Sequence, residues 1–139
     1  MAAISIPVGT QPFLKSQERP QSRVAGEAIG VIVPVYRKAT DDKYYIADSD
    51  LTDAETSVVS GISISKSETD SQVLFVSTRG TVVDFGVALT DGTTYFLTGP
   101  GTIGPYSDVA VSDAVVRVGY ANEDGDFVVD IWVTGTIKD

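Results

Sequence analysis

The stretch Gly99-Pro100-Gly101-Thr102-Ile103-Gly104 fits G-x-G-x-x-G and follows an apolar run, Thr94-Tyr95-Phe96-Leu97. In a dinucleotide loop such glycines let free backbone amides approach a pyrophosphate, between a strand and the start of a helix. The run supplies a strand. Pro100 lacks an N–H, however, and Pro105-Tyr106-Ser107-Asp108 opens no apolar helix of 3.6 period. Glu123 stands about where a ribose-binding acid would fall, but it is one acid among many in this chain. Pro-Gly followed by Gly-Pro reads as a pair of turns.

The acidic groups come next. Asp48, Asp50 and Asp53 bring carboxylates close together, as a hard cation requires. The glycine and the closing glutamate of an EF-hand loop would fall on Asp53 and Val59, so a cap at a helix start explains the group better. Asn122-Glu123-Asp124-Gly125-Asp126 reads as a hairpin turn, and Asp41-Asp42 as a turn pair diverging into water. No metal, catalytic residue or cofactor is expected. Tyr44 and Tyr45 with Tyr95 and Tyr106 are the candidates for stacking on sugar. Alternation turns one member of each neighbouring aromatic pair outward, which allows a surface patch of Tyr44, Tyr95 and Tyr106; packing in a core or interface is the competing reading.

Composition narrows the field. The 139 residues include no Cys and no His, so thiol chemistry and Ser–His or Cys–His catalysis are excluded within one chain. The net charge of −9 argues against binding nucleic acid through phosphate neutralisation. Residues 1–24 hold Lys15, Arg19 and Arg23 against Glu18, a side-chain charge of +2 on a chain whose remainder is −11. The opening residues lack the pattern of a signal peptide, and no apolar run approaches the ~20 residues of a membrane helix. A soluble, non-enzymatic protein that binds neither nucleic acid nor membrane is expected.

One domain of this length can bury a core unaided. Val, Ile, Thr and the aromatics favour strands. Pro7, Pro12 and Pro20 break up residues 1–24, which read either as a disordered terminus or as an extended arm anchored by Ile4, Ile6, Phe13 and Leu14. From there to residue 139 a β domain is predicted. Residues 28–37 form an extended stretch in which Pro34 signals an edge or a bulge, and 44–47 return as its hairpin partner. Residues 48–57 hold the only plausible helix, of two turns at most, capped by Asp50 or Thr52 with Asp53 and Glu55 in its first turn. Further strands fall at 61–67, 72–78, 81–89, 93–98, 114–121 and 126–133, with Ile62 and Ile64 on one face and Ser63 and Ser65 on the other. The fold class is all-β: a compact antiparallel sandwich or small barrel with an extended arm and at most one short helix.

The last two strands allow a register. A two-residue turn at Asp124-Gly125 pairs Val116, Val118 and Tyr120 with Val133, Ile131 and Val129 on one apolar face. On the other face Arg117 lies opposite Trp132, with Asp130 diagonal to it, which predicts a cation–π contact.

Laid out this way, AGEAIGVIVPVYRKATDDKYYIADSD (25–50), VVSGISIS (58–65), the run from Val73 to Asp108 and VVRVGYANEDGDFVVDI (115–131) resemble the small β proteins that decorate, or cement, the heads of tailed bacteriophages. The resemblance covers about residues 25–133, leaves the arm unmatched, and is one of strand grammar with no catalytic signature. It implies a virion structural protein on the outer capsid surface. Such a protein is a trimer at three-fold or quasi-three-fold positions that clamps neighbouring major capsid protein subunits. The arm's Ile4, Ile6, Phe13, Leu14, Lys15, Arg19 and Arg23 would then be the capsid contacts. Twenty-four extended residues reach at most about 80 Å, enough to cross onto adjacent subunits. Related grammar in fibre and knob modules gives the alternative, a head- or tail-fibre module binding a host receptor or glycan through outward tyrosines. A β-rich nucleotide hydrolase is the third class, and its ordered acidic and Gly-rich motifs are missing here.

Overall fold

The structure, a computed structural model, describes residues 6, 9, 11–14, 19–51, 53–83 and 89–139. Its strands are β1 (Phe13–Leu14), β2 (Gln21–Val24), β3 (Pro34–Arg37), β4 (Tyr44–Ile46), β5 (Gly61–Ser63) and β6 (Val73–Ser77). They continue as β7 (Gly80–Val83), β8 (Thr94–Leu97), β9 (Ile103–Gly104), β10 (Ala114–Ala121) and β11 (Phe127–Ile137). Two antiparallel sheets result, a six-stranded one in the order β1-β7-β11-β10-β8-β9 and a five-stranded one in the order β2-β6-β5-β3-β4. This is an all-β sandwich, one of the two architectures expected, and among the described residues there is no closed barrel. Among the described residues no helix is long and apolar enough to cross a membrane.

The sheets meet over one core. Val116, Val118, Phe127, Val129, Tyr95, Leu97 and Val82 of the six-stranded sheet face Tyr36 and Ile62 of the other. Ser77 and Gly80 lie at the ends of strands in different sheets, so Thr78-Arg79 is a crossing between layers. A second core of Ala25, Ile29, Val35, Tyr44, Leu74 and Val76 lies on the opposite face of the five-stranded sheet. That sheet rolls around it. Its edge strands are β2 and β4, yet Ala25, next after β2, bridges Tyr44 of β4, and the Gly26 N–H reaches the Tyr44 carbonyl at 2.8 Å.

Residues 25–33 act as a strap across this second face, so the predicted strand at 28–37 shortens to 34–37. The strap is held by serines. Ser63 Oγ accepts from Val33 N–H at 3.0 Å and donates to the Gly30 carbonyl at 2.6 Å. Ser67 Oγ accepts from Ile29 N–H at 3.2 Å and donates to the Glu27 carbonyl at 2.9 Å. Ile32 between them has φ 58°, a left-handed value costly for a β-branched residue, and gives its N–H to the Ser63 carbonyl at 2.7 Å. Ser63 and Ser65 were predicted on the polar face. Ser63 is instead fully buried, because the strap lies over it and is bonded to its hydroxyl.

Pro34 is neither at an edge nor in a bulge. It is the buried first residue of β3, which lies between β4 and β5, and a strand's first position tolerates a missing N–H. The predicted helix is a single 3₁₀ turn, Ala54–Ser57, and its cap is Asp53, which accepts from Glu55 N–H at 3.0 Å. Thr52, an expected cap, lies outside the described residues. The final hairpin has a three-residue loop, Glu123-Asp124-Gly125, with Ala121 opposite Phe127 and Gly125 in the left-handed region at φ 79°. Register near the loop is therefore one residue off the prediction: Tyr120 pairs with Val128. A bulge between Arg117 and Gly119 restores it, and Val116 meets Val133 and Arg117 meets Trp132 as predicted. The bulge turns Tyr120 outward and buries Gly119, where any Cβ would collide with the Val128 carbonyl.

Candidate functional site

Antiparallel partners share a face, so Phe96 of β8, Arg117 of β10 and Trp132 of β11 form one row across the outside of the six-stranded sheet. Their strand neighbours Tyr95, Leu97, Val116 and Val118 point the other way into the core. The Arg117 guanidinium lies 5.4 Å from the centre of the Trp132 ring, as the register predicted. It is fixed there by Asp130, whose carboxylate takes an N–H from Arg117 at 3.0 Å and whose carbonyl takes another at 3.2 Å. Trp132, the sole Trp of the chain, remains 57% exposed.

The row continues beyond Phe96. Tyr106, in the 3₁₀ turn Tyr106–Asp108, meets the Phe96 ring edge-on at 5.4 Å. Lys138 Nζ sits 4.7 Å from the Tyr106 ring centre and donates to the Tyr106 and Val109 carbonyls at 3.0 and 2.7 Å. The result is a ladder of Trp132, Arg117, Phe96, Tyr106 and Lys138, rings and cations alternating except where Phe96 and Tyr106 touch. Beside it runs a second row of Thr94, Tyr120 and Val128. With a strand spacing of about 4.8 Å, Phe96 and Trp132 stand about 10 Å apart across a preformed face. An exposed apolar patch built from Trp, Tyr and Arg, each held by a neighbour, has the make-up of a binding hot spot.

The expected tyrosine patch is corrected by this geometry. Tyr95 is buried against Phe127, ring centres 5.9 Å apart, and Tyr44 is buried within the rolled sheet. Only Tyr106 of the three lies at the surface, since alternation turns Phe96 outward in place of Tyr95. Of the expected arm contacts, Ile4 and Lys15 lie outside the described residues. Phe13 and Leu14 form β1, an edge of the six-stranded sheet paired with Val83 and Val82, and Leu14 packs on the main core. Ile6 lines a small cavity of about 190 Å³ with Val31, Val33 and Gly101. Arg19 is exposed, and Arg23 sits in β2, an edge of the other sheet. The structure thus places Phe13–Leu14 and Gln21–Val24 at the edges of different sheets and does not gather the described members of this set into one site.

The remaining motifs resolve into turns, except that Gly104, read with Pro105 as a second turn, lies in β9 opposite Phe96. Residues 98–102 make the β8–β9 connection, where Thr98 N–H meets the Thr102 carbonyl at 3.0 Å and Gly101 N–H meets the Ala47 carbonyl at 2.8 Å. Asp48 accepts from Asp50 N–H, and Asn122 from the N–H groups of Asp124 and Asp126, each at 3.0 Å. Among the described residues no group of three acidic side chains is placed to hold a metal ion. Asp41 and Asp42 part company: Asp42 binds Arg37, while Asp41 accepts from Tyr45 Oη at 2.5 Å and from Lys43 N–H at 3.0 Å. The Tyr45 hydrogen bond holds the Asp41 carboxyl below its usual range, and Asp41 in turn pushes the Tyr45 hydroxyl up to about 12. Lys43 is raised and Asp70 lowered by their mutual hydrogen bond at 2.8 Å. The Asp41 and Asp42 contacts fasten the β3–β4 hairpin, and Lys43–Asp70 ties it to the β5–β6 connection.

Comparison with protein-family models, curated proteins and solved structures finds no match to this chain.

Proposed function

We propose that this chain is a virion structural protein, a decoration or cement protein that binds the outside of a tailed-phage head and stabilises contacts between major capsid protein subunits. The observation that carries the reading is the open aromatic face of the six-stranded sheet, with Trp132 exposed and Arg117 fixed against it. A face so preorganised loses little side-chain freedom when a partner covers it. The strand grammar of residues 25–133 supports the same reading and supplies the homotrimer as its expected assembly. Many copies that bind only the assembled shell stabilise it by mass action, with no catalytic step.

The test is sedimentation with shells assembled from the major capsid protein encoded beside this chain's gene. Co-sedimentation that Trp132→Ala reduces at least about tenfold is expected, the size of loss typical of one hot-spot side chain. Failure of the unaltered protein to sediment with those shells would overturn the reading. A second reading, a fibre or knob module that binds a host glycan, draws on the outward placement of Trp132, Tyr106 and Tyr120. It predicts that host polysaccharide, and not the shell, competes for the same face.

A further inference from the structure

The roll of the five-stranded sheet has a mouth. Arg23 from β2, Arg37 from β3, Asp42 from the hairpin tip and Tyr44 from β4 line an open polar cleft of about 400 Å³. The Ala25–Tyr44 bridge makes this cleft by pulling the end of β2 onto β4, the far edge of its own sheet. Of the four, Tyr44 is the one that belongs to the core on the roll's inner face, with Leu74, Val76 and Val35. The mouth is open and polar, and what it offers a ligand is the convergence of charged side chains from three elements.

The charges in the cleft do not cancel. Two guanidinium groups meet one carboxylate, in a chain whose net charge is −9. Arg37 gives its Nε–H to Asp42, and among the described residues its terminal amino groups have no partner. Arg23 gives its Nε–H to Tyr44 Oη at 3.1 Å and its terminal amino groups to the Ser22 carbonyl and to Gln21 Oε1. One N–H remains on each of those amino groups, and no described carboxylate faces them. The Tyr44 ring centre lies 5.9 Å from the Arg23 guanidinium. A planar fork with open N–H donors matches the two oxygens of a carboxylate, and a lysine in its place would not.

We infer that this mouth binds one carboxylate group between Arg23 and Arg37. A single negative charge completes the neutralisation that Asp42 begins, whereas a phosphate dianion meets repulsion from Asp42. The site is on the other sheet from the aromatic face and stands without reference to any capsid.

The test is an NMR titration of the whole protein with sodium acetate, sodium chloride being exchanged to keep ionic strength constant. The Nε–Hε resonances of Arg23 and Arg37 shift together and saturate with one apparent affinity. Arg37→Gln and Arg23→Gln each weaken that affinity about tenfold, the loss expected for a hydrogen bond to a charged group. Arg37→Lys, which keeps the charge and loses the fork, weakens it several-fold. Inorganic phosphate above neutral pH binds more weakly than acetate. Shifts that do not saturate, an affinity unchanged in the variants, or phosphate binding tighter than acetate would each overturn the assignment. Should a variant lose its dispersed spectrum, the unaltered protein still decides, because the two arginine resonances report the site directly.

Discussion

The outer faces of the two sheets are built from similar strands and end in opposite states. The five-stranded sheet rolls its second face around Ile29, Val35, Leu74 and Val76, and the strap of residues 25–33 covers it, fastened by Ser63 and Ser67. The six-stranded sheet leaves its second face open, with Trp132, Tyr120 and Tyr106 in solvent. Hydrogen bonds on the first face satisfy buried and part-buried backbone groups and so belong to the fold. On the second face the cation–π and edge-on contacts are solvent-exposed, where each stabilises weakly. Side chains arranged with care yet contributing little to stability are the ones a binding role explains.

Breaking the core that both sheets share gives the largest effect. Phe127→Ala, which empties a fully buried site beneath Tyr95, should cost about 3–5 kcal/mol, read from the denaturation midpoint. Both sheets should unfold in one transition, because this core joins them; two transitions would mean that the rolled sheet holds itself together. Next is Ser63→Ala, which removes two part-buried hydrogen bonds, to the Val33 N–H and the Gly30 carbonyl, and should cost about 1–3 kcal/mol. Trp132→Ala should cost only about 0.5–1 kcal/mol in the same measurement, the worth of an exposed cation–π contact. If it cost more than Ser63→Ala, the open face would be structural and the contrast would fail.

The smallest effect is electrostatic. Asp41 is lowered in the folded protein, so its contribution is present above the unfolded carboxyl value and fades as pH falls through the folded one. Tyr45 is raised to about 12, so its share of the same bond is complete below the unfolded value near 10 and is lost as pH rises through about 12. Thermal melts across this range should show the hairpin's contribution intact between those limits. Tyr45→Phe should flatten both shoulders, and an unaltered profile in that variant would count against the pair.

Much of the fold was legible because its signals are local. The turn at Asp41-Asp42, the place of the last hairpin's turn though not its length, the β3–β4 hairpin and the Arg117–Trp132 pairing follow from turn chemistry and a period of two, which neighbouring residues set by themselves. The mismatches fall where a distant segment intervenes. Ser63 looks like a solvent-facing residue until the strap lies over it, and Tyr120 looks inward until a bulge shifts its parity. The choice between Tyr95 and Phe96 as the outward ring depends on which side the other sheet packs, and alternation alone treats the two alike.

By itself, then, the sequence determined an all-β chain without thiol or histidine chemistry, its turns, and the exposed Arg117–Trp132 contact. Tertiary structure alone decided that Trp132, Arg117, Phe96, Tyr106 and Lys138 stand in one ladder, and that Arg23 and Arg37 share a cleft. Those groupings join residues from separate strands, and only the order in which strands pair and the direction in which a sheet curls bring them together.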